Sequence, residues 1–443
     1  MTLDRTKQPP VFPFGELTIP MPVIETLPNG STLYIIDKGD QEVTRIDLLF
    51  EGGRYAATNP AIADLTGPML RKGIPGMDEN DIALLFDYNG AWIQTATTQH
   101  FSTISLLSIN SKLPHLLPTV AEMIISPTLP ADAFDTLQQQ RTQQQLINRE
   151  KVRILAGESF NRLIFGKNHP YARAIMPEDF STTTLDDIRQ YHKQYYLNTP
   201  VRIILSGRIT PQVAQCVRQY LGNIPSAGHA LTTHSTPITP QALHTAITHK
   251  SGAMQSALRI GMPTIDVHHQ DFPTLTLLNL ILGGYFGSRL MTNIREEKGY
   301  TYGITSHIIS LRNATYFTII TETGTEYTHL LLDEVRNEMN RLCNEKISHE
   351  ELEMARNYMQ GQRARTLDSP FSISDYLLSS LIAGTPIDYF NTENRAIRQV
   401  TPDDLLRVAN AHLHPNNYYV AIACDKDAID MDNLTNTSTH NPQ

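Results

Sequence analysis

Two side chains in the second half of this chain, Arg295 and Tyr302, are of the types that can hold a carbonyl oxygen or a developing oxyanion. One is a guanidinium that always keeps its charge; the other is a phenol that donates a hydrogen bond. They lie within residues 288–304, SRLMTNIREEKGYTYGI, which read as the end of a helix, a glycine turn and the start of a strand. Each also has a mundane explanation, since an arginine compensates a helix C-terminus and a tyrosine is an ordinary strand aromatic.

The elements that must position this pair follow from periodicity. Over residues 275–294 the apolar positions are too dense for a one-sided surface helix, and Gly283, Gly284 and Gly287 interrupt them. Two helical pieces joined at a flexible corner are therefore expected, with Arg295 on the second. After Gly299 the period changes to alternation, which puts Tyr302 on a strand with Tyr300 and Ile304 on its side and Thr301 and Gly303 opposite.

The stretch resembles the second-domain signature of the pitrilysin and insulinase peptidases, the inverted zinc-motif metallopeptidases, and their shorter bacterial members in particular. In that family an Arg, six intervening residues and a Tyr stand in this context, as Arg295 and Tyr302 do here. The resemblance implies that both side chains reach across an enclosed chamber to grip the substrate backbone near a zinc ion held elsewhere.

The family's own zinc signature, His-x-x-Glu-His followed by Met-Leu-x-x-Gly, is degenerate in this chain. The trailing part survives as MLRKGI over residues 69–74, but the two histidine positions hold Asp64 and Pro68 and the glutamate position holds Gly67. Zinc hydrolysis needs two imidazoles on one helical face, a carboxylate ligand and a carboxylate base. Pro68 binds no metal and Gly67 takes no proton. Where the third ligand is expected the chain reads QQQRTQQQL, so that Gln143, Gln144 and Gln145 offer amides, which are poor zinc ligands. No zinc is expected in this chain.

Other chemistries find less support. The histidine pairs His268/His269, His412/His414, His229/His234 and His244/His249 read as solvated surface groups, and His169-Pro170-Tyr171 as a turn. No G-x-S-x-G elbow or P-loop is present, and the Gly283-Gly284 pair follows no strand. The acidic pairs Glu296-Glu297 and Glu350-Glu351 read as solvated or capping groups.

With 40% hydrophobic and 18% charged residues the chain is globular, and its 443 residues exceed one ordinary core. A formal net charge of −9 argues against nucleic acid as a partner. The opening MTLDRTKQPPVFPFG lacks a signal-peptide core, and no apolar run approaches the ~18 residues needed to cross a membrane, so a cytoplasmic location is expected. Cys216, Cys343 and Cys424 are scattered and read as buried small hydrophobes.

Both halves run through the same order of strands and helices. Thr184 with Asp187 and Thr401 with Asp404 form matching capping boxes, Gly90 and Gly299 matching turns, and Ser348 with Glu351 a further box. A tandem duplication of about 210 residues per unit follows, far longer than a solenoid repeat. The expected class is α+β, each unit an antiparallel-rich sheet with helices on one side. The expected units are 15–221 and 246–426, with a linker at 222–245 and a mobile tail at 427–443.

The favoured reading is a subunit inactive alone that supplies Arg295 and Tyr302 in trans to a zinc-bearing homologous subunit acting on peptides, with self-pairing of the isolated chain left open. The alternative is a non-catalytic scaffold or peptide-binding protein of the same fold. A stand-alone peptidase with an unrecognised site is a third.

Overall fold

The structure is a computed structural model that describes Thr6 and residues 15–226 and 235–428. Residues 227–234, which hold His229 and His234, and residues 429–443 of the expected tail lie outside the described part.

Strand segments such as TLYIID and RIILSG are buried at nearly every position, as expected for strands covered on both faces. In the first sheet the strands stand in the order Val23–Thr26, Thr32–Asp37, Arg202–Gly207, Val43–Glu51, Phe101–Ile109, Trp92–Thr97. Only Thr32–Asp37 and Arg202–Gly207 run parallel. The second sheet repeats the last five of these as Thr245–His249, Tyr419–Cys424, Gln255–Pro263, Ala314–Gly324, Thr301–Leu311, with the pair corresponding to Thr32–Asp37 and Arg202–Gly207 again parallel. Apart from the extra edge strand Val23–Thr26, the two sheets agree in strand order and direction, as a duplication predicts.

One face of each sheet is covered by helices from its own half. Ile46, Leu48 and Phe50 meet Leu116, Val120 and Val217 in the first unit; Leu258 and Ile260 meet Leu275, Val335 and Leu405 in the second. Each such side chain contributes roughly 1.5–3 kcal/mol by leaving water. Part of the other face is covered by exchange. Helix Pro370–Ala383 brings Ile373 and Leu377 onto Tyr34, Ile36, Leu49 and Ile204 of the first sheet. Helix Val152–Phe165 lays Leu155 and Ala156 on Ala257 and Ala423 of the second, with Phe160 and Leu163 beside Tyr419 and Ala421. The units thus lend each other a helix.

Local signals behave as their chemistry requires. Thr184 and Thr401 each accept from the backbone three residues on, and Asp187 and Asp404 return the bond. Gly90 and Gly299 both sit at positive φ, 60° and 67°. At Ser348 only half of the expected box forms, because the Glu351 carboxylate is taken by Arg289 at 2.7 and 2.8 Å. Helix Ala131–Arg149 ends before Val152–Phe165 starts, so the break falls at Glu150 and Lys151. All three cysteines are buried and free. Among the described residues no helix is long and apolar enough to cross a membrane.

Candidate functional site

Helix Phe272–Asn279 widens into a π-helical turn at Leu280–Gly284, and a second π-helical stretch, Met291–Glu297, carries Arg295. These are the two pieces expected from the glycine-broken pattern. Gly283 is needed where it stands: a Cβ there would come within 2.8 Å of the Ser306 backbone nitrogen. Bare backbone lets the helix abut the strand that bears Tyr302.

Strand Thr301–Leu311 does not alternate as expected. A bulge between Thr301 and Ile304 turns both of those residues inward, with Thr301 bonding through its hydroxyl to the carbonyls of Gly303 and Glu322. Tyr302 and Ile304 therefore part company. Ile304 is fully buried, whereas Tyr302 is 93% exposed.

Arg295 and Tyr302 are brought together. The Arg295 Nε donates to the Tyr302 carbonyl at 3.0 Å, and the guanidinium lies 4.9 Å from the centre of the exposed Phe286 ring. Its Nη1 is 3.8 Å from Glu296 Oε1. One donor edge is used to fix the arginine, and the remaining N–H groups stay available. Tyr302 stands over a cavity of about 840 Å³ lined also by Met254, Glu322 and Tyr327. An exposed phenol at the cavity's edge, with a guanidinium anchored beside it, can bind a carbonyl group presented from outside.

The positions of the zinc motif are filled differently. Asp64 accepts from Arg54 Nε and Nη2 at 2.7 and 3.2 Å in a half-buried ion pair. Burial pushes its carboxyl up, while Arg54 and, more weakly, Arg141 pull it down. A Cβ on Gly67 would lie 3.4 Å from Thr95 Cβ and 3.5 Å from the Tyr196 hydroxyl oxygen. Pro68 borders a recess of about 290 Å³ shared with Thr95 and Arg141. On the neighbouring helix Gln145 Nε2 donates to the Ile175 carbonyl and Gln144 to Asn148. Two guanidiniums, a proline and a glycine supply no ligand set for zinc, so the residues do not fit the metal that the family carries here.

The structure does gather some histidines. Ligand atoms of His269, Asp271 and His412 lie within 4.8 Å of one another, which the sequence reading as solvated surface groups missed. Asp271, however, is held by Arg407 at 2.8 and 2.9 Å, and this hydrogen-bonded ion pair, helped by His412, brings its carboxyl down to about 2. The group clamps the start of helix Phe272–Asn279 to helix Pro402–His412. His249 stands near Asp425 and Asp427, His244 Nδ1 meets the Tyr418 carbonyl, and His414 caps a short turn.

A junction between the halves was not legible in the sequence. His169-Pro170-Tyr171 forms the expected turn, but the Tyr171 hydroxyl also meets His100 Nε2 at 2.6 Å and accepts from the Asn313 backbone at 3.1 Å. Burial, with the charge of Arg312, pushes the His100 imidazole down to about 4. Beside it Glu51 accepts from Arg202 of its own sheet and Arg312 of the other. No local pattern announces contacts between residues so far apart.

Known proteins agree with this architecture. Residues 182–359, which include Arg295 and Tyr302, match the peptidase M16 inactive domain. That stretch thus resembles the inactive domain of the pitrilysin-type (M16) peptidases. The chain is similar to an uncharacterized zinc protease, YmxG of Bacillus subtilis, at 24% identity over 68% of this chain and 73% of that one. It is likewise similar to a probable inactive metalloprotease, YmfF of the same organism, at 24% identity over 69% and 72%. A solved peptidase M16 inactive domain from Pseudomonas fluorescens superposes with a TM-score of 0.85 at 24% identity, covering 92% of this chain and 99% of that chain. Relatives at the same identity are described as a zinc protease and as an inactive metalloprotease, so activity has to be judged from the residues.

Proposed function

We propose that this chain is the non-zinc subunit of a cytoplasmic pitrilysin-type heterodimer, in which Arg295 and Tyr302 bind the peptide backbone and stabilise the transition state at a zinc site held by a homologous partner. The observation that carries the proposal is the exposed Tyr302 at the edge of a large cavity, beside an arginine fixed by the tyrosine's own carbonyl. Donors aimed at a developing oxyanion act best when their orientation is set beforehand. The filled positions Asp64, Gly67 and Pro68 support the division of labour, because catalysis must then come from the other chain.

The test mixes this chain with a zinc-bearing homologue from the same host and follows peptide cleavage. Cleavage is expected only in the mixture. Arg295→Ala and Tyr302→Phe should lower turnover while leaving association, read by size-exclusion chromatography, unchanged. If the double variant cleaves as well as the original, the chain is a scaffold. Stoichiometric zinc with cleavage by the chain alone would replace both readings with a self-sufficient peptidase.

A further inference from the structure

The duplication allows one residue of each half to be compared with its counterpart. Asp47 and Arg259 occupy the same place, each at the fifth position of the strand that pairs antiparallel with one member of its sheet's parallel pair, on the face that meets the borrowed helix. Asp47 lies across from Ile204 and Ser105, Arg259 across from Ala421 and Ile320. Asp47 is 1% exposed and saturated. It accepts from Arg45 Nε at 2.8 Å, from Ser105 Oγ at 2.6 Å and from Ser374 Oγ of the borrowed helix at 3.1 Å.

Arg259 has no such partners. It is half-buried, and the borrowed helix presents Gly157, where a Cβ would lie 3.9 Å from Nε and Nη2. No hydrogen bond or ion pair reaches its guanidinium from the described residues. The titratable groups around it are Tyr316 and His307; burial lowers His307, and the arginine charge lowers it further. Glu322, one step along the same face opposite Ala257, makes no ion pair with it and instead lines the cavity under Tyr302. Leaving a charge partly desolvated and unpaired is costly, and a guanidinium offers five donors in a fork that matches a carboxylate.

We infer that Arg259 is a specificity residue that takes a carboxylate of the bound peptide, either an acidic side chain or the C-terminus, on the inner face of the second sheet beyond the Tyr302 cavity. The inference rests on the peptide-binding reading above and adds the substrate class: acidic peptides. Tyr302, Glu322 and Arg259 stand on three neighbouring strands spaced ~4.8 Å apart, with Glu322 opposite Ala257, two residues from Arg259, so a peptide held at Tyr302 passes Glu322 and reaches Arg259 with neighbouring side chains. Glu322 sharpens the preference, because it repels an acid placed one step too early.

The test measures binding to the full chain by fluorescence anisotropy. The probes are a short unstructured peptide with one glutamate and its glutamine counterpart, each made with a free and with an amidated C-terminus. The original should prefer the glutamate peptide by about tenfold or more, the scale of one hydrogen-bonded charge pair. Arg259→Gln should abolish that preference without weakening the neutral peptide, and Arg259→Lys should keep part of it; circular dichroism checks that both variants fold. A preference that tracks the free C-terminus and not the glutamate assigns the site to the terminal carboxylate. Neutral and acidic peptides binding alike, or a preference that survives Arg259→Gln, overturns the inference and leaves the peptide-binding reading standing. Failure of every peptide to bind the chain, alone or mixed with the zinc-bearing homologue, removes both.

Discussion

Helix Pro60–Met69, where the resembled family keeps its zinc motif, and the turn before Tyr302 have opposite characters in this chain. At the first, Asp64 and Arg54 satisfy each other and the glycine at position 67 packs against Thr95 and Tyr196. At the second, the phenol of Tyr302 projects 93% exposed and the arginine keeps free donors. Groups that satisfy each other hold a fold together. Groups held outward with donors to spare are available to something else, and under the proposed function that something is a peptide.

The sharpest way to break this contrast is at Tyr302 and Arg295. In the mixture with a zinc-bearing homologue, loss of either donor should lower turnover by about 10²–10³, with KM changed less. Because Tyr302 buries almost nothing, Tyr302→Phe should leave the melting temperature of the chain unmoved. A large thermal shift would mean that the phenol is structural after all.

Gly283→Ala probes the support. Its Cβ meets the Ser306 backbone, not a flexible tip, so the helix must shift, at a cost of about 1–3 kcal/mol. Turnover in the mixture should fall with it, since the displaced turn leads into the helical piece that carries Arg295; an unchanged melting temperature would count against the close packing. Asp64→Ala is the converse experiment. It leaves Arg54 unpaired at a half-buried site and should destabilise by about 1–2 kcal/mol in chemical denaturation, with no effect on turnover. Loss of activity without loss of stability there would return chemistry to the first unit.

The smallest effect concerns the junction. The His100 imidazole is lowered from 6.5 to about 4, so the unfolded chain binds a proton in this window that the folded chain refuses. Stability should therefore fall as pH drops from about 6.5 towards 4, and above that range His100 should contribute no pH dependence. Melting curves of His100→Gln should show a shallower slope over the same range. An identical slope would assign the acid sensitivity to other groups.

Much of this was legible beforehand. The capping boxes at Thr184 and Thr401, the glycine turns and the broken helix before Arg295 are local signals, and they marked the duplication and the Arg/Tyr stretch. The bulge at Tyr302 was not, because alternation written in sequence gives no hint of an inserted residue until the partner strand is known. The Arg407–Asp271 clamp, the Tyr171–Asn313 bond and the bare guanidinium of Arg259 depend on residues far apart in the chain. Periodicity says nothing about them.

The borrowed helices also govern how the protein is made. On a ribosome the strands of the first sheet are all synthesised once Gly207 has emerged, yet Tyr34, Leu49 and Ile204 stay uncovered until Pro370–Ala383 arrives. A nascent chain holds that apolar surface open across much of its own translation, in the period when hydrophobic faces recruit chaperones or stick to neighbours. Completion of the first half is thus deferred to the last stretch of the second, and a transcript truncated before that helix yields a product that aggregates in place of a smaller folded one.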